Sequence, residues 1–233
     1  MEEKFVGIEK LSLVDYEGKL ACTLFTSGCN FKCVFCHNSS LVMNNNQIQE
    51  IEDEEIFQYL EKRKKQLDAV VITGGEPTLM TTLKEKIIKI KQLGYLIKLD
   101  TNGTNPNIIK ELYEEKLIDY IAMDVKIGVT KYPLITDIKN INLDNIKQSI
   151  NYIINNIENY EFRTTLVNNY HEEEDIIELG ELLKGAKKLY LQVFIDNGNC
   201  IKQGLSKVEK SKALVYKDIL SEYINQVNLR NYE

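Results

Sequence analysis

The 233-residue sequence contains no tryptophan, only three prolines and only two histidines. It has no apolar run close to the ~20 residues that a membrane-spanning helix needs, and its start, Met1-Glu2-Glu3-Lys4, is unlike a signal peptide. It also has no excess of basic residues, because 35 acidic and 29 basic residues give a net charge of −6. We therefore expect a cytoplasmic protein that binds neither a membrane nor a nucleic acid.

The five cysteines are an odd number, which argues against a disulfide framework. Three of them, Cys29, Cys33 and Cys36, fall within eight positions of the run G-C-N-F-K-C-V-F-C-H-N. A loop this short cannot bury three sulfurs separately, so the thiolates indicate one shared metal or metal cluster. Because closed zinc sites and iron–sulfur clusters usually have four ligands, three cysteines suggest a cluster with one iron free for substrate. A zinc site completed by His37 or a distant residue is the alternative.

Apolar runs of strand length alternate with amphipathic helical patterns along the chain. This alternation predicts an α/β fold with parallel strands, a partial (β/α)6 barrel of the TIM type. We expect a hairpin in the first 20 residues, with its turn at Asp15-Tyr16-Glu17-Gly18, and a single domain over residues 1–233. Cys22 is expected to be a small buried hydrophobe, and Cys200 lies in a predicted loop and receives no role. The runs are Leu20–Phe25, Ala69–Ile72, Leu96–Leu99, Tyr120–Val125, Glu161–Val167 and Leu189–Phe194.

The predicted strands end in polar or glycine-rich segments, and in such barrels the active site lies at the carboxyl ends of the strands. The first strand runs into the cysteine motif, and the second ends in T-G-G-E-P-T, residues 73–78. The two glycines allow backbone to approach a ligand closely, although a generic strand-to-helix turn also uses such a pair. The third strand ends in D-T-N-G, residues 100–103, and the fourth in M-D-V-K, residues 123–126.

Charged residues at these strand ends need partners. Asp100 and Asp124 are expected to have cationic partners, because an unpaired carboxylate beside an apolar strand is costly. Helix capping or a salt bridge with Lys126 is the simpler explanation for either aspartate alone. Arg163 is expected to meet either a carboxylate or a ribose of a ligand, or else a barrel glutamate. His171, amid three glutamates, is expected to be a solvated loop residue at a helix start.

C-x3-C-x2-C with an aromatic residue before its third cysteine, followed by T-G-G-E-P-T, resembles the radical S-adenosylmethionine (SAM) superfamily. The resemblance implies a 4Fe–4S cluster on Cys29, Cys33 and Cys36, whose free iron binds SAM. It implies no catalytic acid or base, since the cofactors carry the radical chemistry. D-T-N-G and M-D-V-K are similar to the pyruvate formate-lyase activating enzymes, which implies a monovalent cation on Asp100, Thr101 and Asp124. The SAM-binding residues expected from these motifs and their neighbours are Phe35, His37, Gly74, Gly75, Glu76, Asp100, Thr101, Asn102, Lys126, Arg163 and Gln192.

The order of motifs along the whole chain resembles the anaerobic ribonucleoside-triphosphate reductase activating proteins. This resemblance implies a glycyl-radical enzyme as protein substrate and a flavodoxin- or ferredoxin-type electron donor. Two departures from the group, Asn168 and Val193, leave the substrate open. One alternative is a radical SAM enzyme acting on a small molecule, similar to 7-carboxy-7-deazaguanine synthase. The other is a zinc-binding interaction module without enzymatic activity.

Overall fold

The computed structural model describes residues 3–42, 49–196 and 198–232. In these residues the strands are β1 (Phe5–Ser12), β2 (Ala21–Thr26), β3 (Ala69–Gly74), β4 (Leu96–Thr101), β5 (Tyr120–Asp124), β6 (Tyr160–Leu166), β7 (Leu189–Val193) and β8 (Val227–Arg230). The helices are α1 (Ser39–Val42), α2 (Asp53–Arg63), α3 (Leu83–Gln92), α4 (Pro106–Glu114), α5 (Tyr132–Thr136), α6 (Leu143–Asn156), α7 (Glu173–Leu182) and α8 (Lys210–Leu220). A 3-10 turn covers Pro77–Leu79. No helix among the described residues is both long and apolar enough to span a bilayer.

The chain divides into two compact units. The first unit comprises Met1–Asn30, Ser40–Thr101 and Asn107–Ala122. In this unit β1 pairs with β2 as an antiparallel hairpin, and β2, β3 and β4 follow in order as parallel strands. Val70, Val71 and Ile72 of β3 are fully buried, as expected for a parallel strand covered on both faces.

The second unit comprises Phe31–Ser39, Asn102–Pro106 and Met123–Glu233. Its strands β6, β7 and β8 are parallel and neighbour one another in chain order. Helix α6 packs through the stripe Ile146, Ile150 and Ile153, each at most 1% exposed. Burying each such side chain contributes about 1.5–3 kcal/mol, so this stripe is a main source of the helix's stability.

The expected alternation of strands and helices is confirmed, because each of the six apolar runs corresponds to one of β2 to β7. The N-terminal hairpin is also confirmed, with Asp15–Gly18 between its strands β1 and β2. Two elements of the second unit were missed, the parallel strand β8 and the short helix α5. Both are four or five residues long, which is too short for a periodic pattern to stand out.

Candidate active site

The part of the cysteine motif that lies in the second unit, Phe31–Ser39, is held by helix α5. The N–H of Lys32 donates to the carbonyl of Thr136 (3.0 Å), and the N–H of Val34 donates to that of Ile135 (3.1 Å), both on α5. Within the motif the N–H of Cys36 donates to the carbonyl of Cys33 at 2.9 Å, which closes a turn. These bonds fix the backbone that carries the second and third cysteines.

The thiols of the motif have the chemistry that an iron–sulfur cluster requires. All five cysteines lie in the described residues, and none forms a disulfide. Burial raises the pKa of the Cys36 thiol, while a backbone bond to Asn38 and the charge of Lys126 oppose that rise. Among the described residues no three His, Cys, Asp or Glu side chains surround one metal ion. In a cluster, however, each cysteine binds its own iron, so the sulfurs need not converge on one point.

The segment after β7 packs against the cysteine motif in the second unit. The ring of Phe194 lies 5.7 Å from the ring of His37, centroid to centroid. The Sγ of Cys200 lies 3.8 Å from the carbonyl oxygen of Phe35. Cys200 is 5% exposed and Phe35 is 6% exposed. Cys200, to which the sequence assigned no role, therefore packs against the backbone of the motif.

Three charged side chains meet at the end of β5 and the middle of β6. The Nε of Arg163 donates to Oδ1 of Asp124 at 2.7 Å, and the Nζ of Lys126 donates to Oδ2 at 3.1 Å. Burial alone would raise the pKa of the Asp124 carboxyl, but Arg163 and Lys126 hold it well below its usual range. The cationic partner expected for Asp124 is therefore present, and the group carries one net positive charge.

Arg163 pairs with Asp124, and its expected contact with a ligand or a barrel glutamate stays a prediction. The glutamate of the same strand, Glu161, pairs with Arg230 of β8. Successive side chains of a strand point to opposite faces, so Glu161 and Arg163 share a face. The pairing depended on β8, which the sequence did not reveal.

Lys126 lies beside the cysteine motif. Its Nζ is 5.9 Å from the ring centroid of Phe35, a cation–π distance. Burial lowers the pKa of Lys126, but Asp124 and the nearby Cys33 outweigh burial, so that the pKa is raised and the side chain stays charged. Its backbone N–H donates to the hydroxyl of Tyr132 at 3.3 Å.

The prediction that His171 is a solvated loop residue was wrong. Its side chain is fully buried, and its Nε2 lies 3.0 Å from the carbonyl oxygen of Lys126. Its Nδ1 lies 3.1 Å from both the backbone nitrogen and the carbonyl oxygen of Val167. The three glutamates that follow His171 suggested solvent, but they belong to the start of α7, which directs the ring inward. Being one of two histidines was the only sequence signal for this residue.

In the first unit, the glycine-rich turn after β3 lies against the backbone that leads to Cys29. The N–H of Glu76 donates to the carbonyl of Gly28 at 2.8 Å. A Cβ on Gly75 would lie 1.8 Å from that same oxygen, so only glycine fits there. Gly74 has φ +119°, a conformation that favours glycine. The turn and the start of the cysteine motif are therefore tied together.

The other predicted ligands of the first unit are held in hydrogen bonds. The carboxylate of Glu76, 1% exposed, accepts from the hydroxyls of Thr78 at 2.5 Å and Thr101 at 2.7 Å. Asp100 forms an ion pair with Lys98 at 3.6 Å, the cationic partner expected for it. Glu76 and Thr101 are thus brought together, and Asp100 directly precedes Thr101 on β4.

Two further predicted residues lie in the second unit. Asn102 accepts from the N–H and the hydroxyl of Thr104, at 3.0 and 2.7 Å, in a turn after β4. Gln192 lies on β7 opposite Arg230 in the strand register. The cation site expected on Asp100, Thr101 and Asp124 draws on both units and stays a prediction, as do the SAM contacts.

The family of the chain follows from comparison with known proteins. Residues 23–183 match the family model described as the radical SAM superfamily. The chain belongs to the radical SAM superfamily. A Methanocaldococcus jannaschii protein named as a glycyl-radical enzyme activating enzyme is 38% identical over 197 residues, covering 81% of this chain and 78% of its own. The pyruvate formate-lyase-activating enzyme of Staphylococcus aureus is 30% identical over 189 residues, covering 76% of this chain and 74% of its own.

Solved structures of the superfamily share the fold. Streptococcus suis SuiB bound to S-adenosylmethionine superposes with a TM-score of 0.66 at 17% identity, over 86% of this chain and 48% of that one. This likeness confirms the expected fold class, an α/β partial barrel of parallel strands with an N-terminal hairpin.

Membership of the radical SAM superfamily makes the protein an oxidoreductase-type enzyme whose cofactors are a 4Fe–4S cluster and SAM. The iron–sulfur interpretation of the cysteine motif is confirmed over the zinc alternative at the level of the family. The donor set fits this cofactor, because three thiols lie within one run of eight residues. The assignment of individual ligands to Cys29, Cys33 and Cys36 stays a prediction.

Proposed function

We propose that this protein generates a glycyl radical on a partner enzyme, and that the partner is an anaerobic ribonucleoside-triphosphate reductase. The observation that carries the first half is the relative named as a glycyl-radical enzyme activating enzyme, 38% identical over 81% of this chain. The second half rests on the order of motifs along the chain, from the cysteine motif through Y-E-F-R-T-T to L-Q-V-F. An electron donor of the flavodoxin or ferredoxin type completes the system.

Cys29, Cys33 and Cys36 would hold the cluster, and the glycine-rich turn and strand ends would hold SAM. When bound, the two cofactors would supply one-electron reductive cleavage of the carbon–sulfur bond of SAM, giving methionine and the radical that takes the hydrogen atom from the glycine. Hydrogen-atom transfer moves no separate proton, so the chain needs no acid or base. Its residues bind, orient and exclude water.

The charged group of the second unit suits this task. Lys126 and Arg163 bring two positive charges against the single negative charge of Asp124. The surplus positive charge attracts an anion, and the carboxylate of SAM and the thiolate-bound cluster are both negative. Phe35, under the Lys126 ammonium, offers an apolar face beside the third cysteine.

The test is anaerobic. The chain is reconstituted with iron and sulfide, reduced with dithionite and mixed with SAM and the anaerobic reductase of the same genome. Liquid chromatography then measures 5′-deoxyadenosine, and electron paramagnetic resonance looks for a glycyl doublet. A reductase in which the target glycine is replaced by alanine is the matched control, and it should give no doublet.

The outcomes separate the hypotheses. Deoxyadenosine with a doublet that disappears in the glycine variant supports the proposal. Deoxyadenosine without a doublet rejects this reductase as the partner and points to another glycyl-radical enzyme or to a small molecule, as in the 7-carboxy-7-deazaguanine synthase-like alternative. A fully loaded cluster that yields no deoxyadenosine would contradict radical chemistry at this site.

A further inference from the structure

His171 is a buried histidine with a complete set of hydrogen bonds. Its Nδ1 lies 3.1 Å from both the backbone nitrogen and the carbonyl oxygen of Val167. Its Nε2 lies 3.0 Å from the carbonyl oxygen of Lys126, and because a carbonyl only accepts, a hydrogen bond there needs the ring proton on Nε2. The hydroxyl of Tyr216 donates to the backbone carbonyl of His171 at 2.6 Å. The ring is thereby fixed between the end of β6 and the end of β5.

The Nε2 bond of His171 completes the support of the Lys126 backbone. The Lys126 N–H donates to the Tyr132 hydroxyl, and its carbonyl accepts from His171. With both backbone groups held, the side chain leaves from a fixed point. Its ammonium reaches Asp124 at 3.1 Å and the ring of Phe35 at 5.9 Å.

The Lys126 ammonium lies beside the cysteine motif. Its Nζ is 5.9 Å from the ring of Phe35, the residue that directly precedes Cys36. A cluster held by these thiols gains one negative charge when it is reduced. A nearby positive charge stabilises that reduced state and makes the potential less negative, one of the means by which proteins tune iron–sulfur clusters.

We propose that His171 is a positioning residue that holds the Lys126 ammonium beside the cysteine motif and thereby sets the reduction potential of the cluster. The inference rests on the proposed binding of the cluster by Cys33 and Cys36, but not on the identity of the partner. The absence of a glycyl radical would therefore not contradict the role of His171. An unchanged reduction potential would not contradict the activase proposal.

The variants distinguish the hydrogen bond at Nδ1 of His171 from the hydrogen bond at its Nε2. Asparagine places its amide near the Nδ1 position, so His171→Asn keeps a partner for Val167 and loses the bond to Lys126. Glutamine is one carbon longer and reaches the Nε2 position, so His171→Gln keeps a donor for the Lys126 carbonyl. Tyr216→Phe removes a buried hydrogen bond of His171 without touching Lys126, and it controls for general loosening. Lys126→Met removes the charge itself.

The reduction potential of the reconstituted cluster is measured for each variant by anaerobic spectroscopic titration. We expect Lys126→Met and His171→Asn to shift the potential to more negative values, and His171→Gln and Tyr216→Phe to stay near the wild type. In the double variant, His171→Asn should add nothing to Lys126→Met, because its effect passes through that charge. An unshifted His171→Asn, an additive double variant, or an equal shift in Tyr216→Phe would overturn the proposal.

A second measurement needs no cluster. Lys126 in the cluster-free chain is treated with a limiting amount of an acetylating reagent, and mass spectrometry follows its modification. We expect the rate to rise several-fold in His171→Asn and to stay near the wild-type rate in His171→Gln. If the folded His171→Asn variant shows the wild-type rate, His171 does not position Lys126.

Discussion

At the scale of single residues, the cysteines of the motif differ in their surroundings. Cys33 is 8% exposed, whereas Cys29 and Cys36 are partly exposed. We expect Cys33→Ala to abolish iron binding while the chain still folds, with a change in unfolding free energy within about 1.5 kcal/mol. The backbone bonds that anchor the motif do not involve its sulfur. Iron content and circular dichroism check both parts.

Cys22→Ala is the matched control for that variant. Cys22 is fully buried, as expected from the sequence, and burial raises the pKa of its thiol to about 12. Because Cys22 lies on β2, outside the motif, the variant should bind iron like the wild type. Wild-type iron content in Cys33→Ala would reject the assignment of this cysteine to the cluster.

His171 makes the stability of the cluster-free chain depend on pH. Burial lowers its pKa, although bonds to Val167 and Lys126 oppose this effect. In the unfolded chain, His171 takes up a proton at about pH 6.5, whereas in the folded chain it does so only at a lower pH. Its contribution to folding stability is therefore full above about pH 6.5 and is lost as the pH falls below that value. Through this one group, the unfolding free energy changes by at most about 1.4 kcal/mol per pH unit.

Urea unfolding between pH 8 and pH 5 measures this effect. His171→Gln should flatten the slope near pH 6, because glutamine does not titrate. His37→Gln is the control and should keep the slope that His171 causes, because it replaces the other histidine and leaves His171 in place. A slope in His171→Gln as steep as that of the wild type would show that another group is responsible.

At the scale of elements, the turn after β3 allows no side chain at Gly75. A Cβ there would lie 1.8 Å from the Gly28 carbonyl oxygen, so Gly75→Ala must push the turn away from the backbone that precedes Cys29. We expect a loss of more than about 3 kcal/mol of unfolding free energy and weaker SAM binding by the loaded enzyme. Denaturant titration and equilibrium binding measure the two effects.

Gly185→Ala is the control for the clash. Gly185 has φ +86° and open space around the position of a Cβ, so alanine there meets only backbone strain of about 1–2 kcal/mol. SAM binding should be unaffected, because the residue lies outside the predicted site. A cost of Gly75→Ala no larger than that of Gly185→Ala would contradict the close packing of the turn.

The strand missed in the sequence analysis carries a second element-scale prediction. Arg230 of β8 donates through both of its Nη atoms to the carboxylate oxygens of Glu161, each at 3.2 Å. Glu161 is 2% exposed, so Arg230→Ala removes a two-bond partner from a buried carboxylate and should cost about 3 kcal/mol. Lys207→Ala, which removes an exposed pair with Glu209 at 3.9 Å, should cost less than about 1 kcal/mol. If urea unfolding showed equal losses of unfolding free energy for Arg230→Ala and Lys207→Ala, the result would contradict the Glu161–Arg230 ion pair.

At the scale of the whole molecule, SAM and the cluster should act together. A ligand that binds only the folded state stabilises it by about 2.7 kcal/mol at one hundred times its dissociation constant. We expect SAM to raise the melting temperature of the cluster-loaded chain and to have far less effect after a chelator removes the iron. Anaerobic calorimetry with and without iron makes the comparison. Equal stabilisation of both forms would show that SAM does not bind through the cluster.

Much of the fold could be predicted from the sequence, because it follows from local patterns of apolar and polar residues. The alternation of apolar strands with amphipathic helices located β2 to β7, and the Ile146, Ile150 and Ile153 stripe located the buried face of α6. Helix α5 and strand β8 escaped, since a pattern of four or five residues is ambiguous. Helix α5 holds the cysteine motif, and strand β8 carries Arg230, which pairs with Glu161. Elements too short to recognise in the sequence therefore support the motif and a buried carboxylate.

The chemistry of the motif could be predicted from the sequence alone, because the three cysteines lie within one loop and their spacing is visible directly. The positions of β2 to β7 along the chain could also be predicted, because their apolar runs alternate with amphipathic helices. Which charged side chains meet depends instead on the tertiary structure. Arg163 pairs with Asp124 across 39 residues, and His171 reaches the carbonyl of Lys126 across 45 residues. Such contacts depend on how strands distant in sequence pair, and local periodicity carries no information about that pairing.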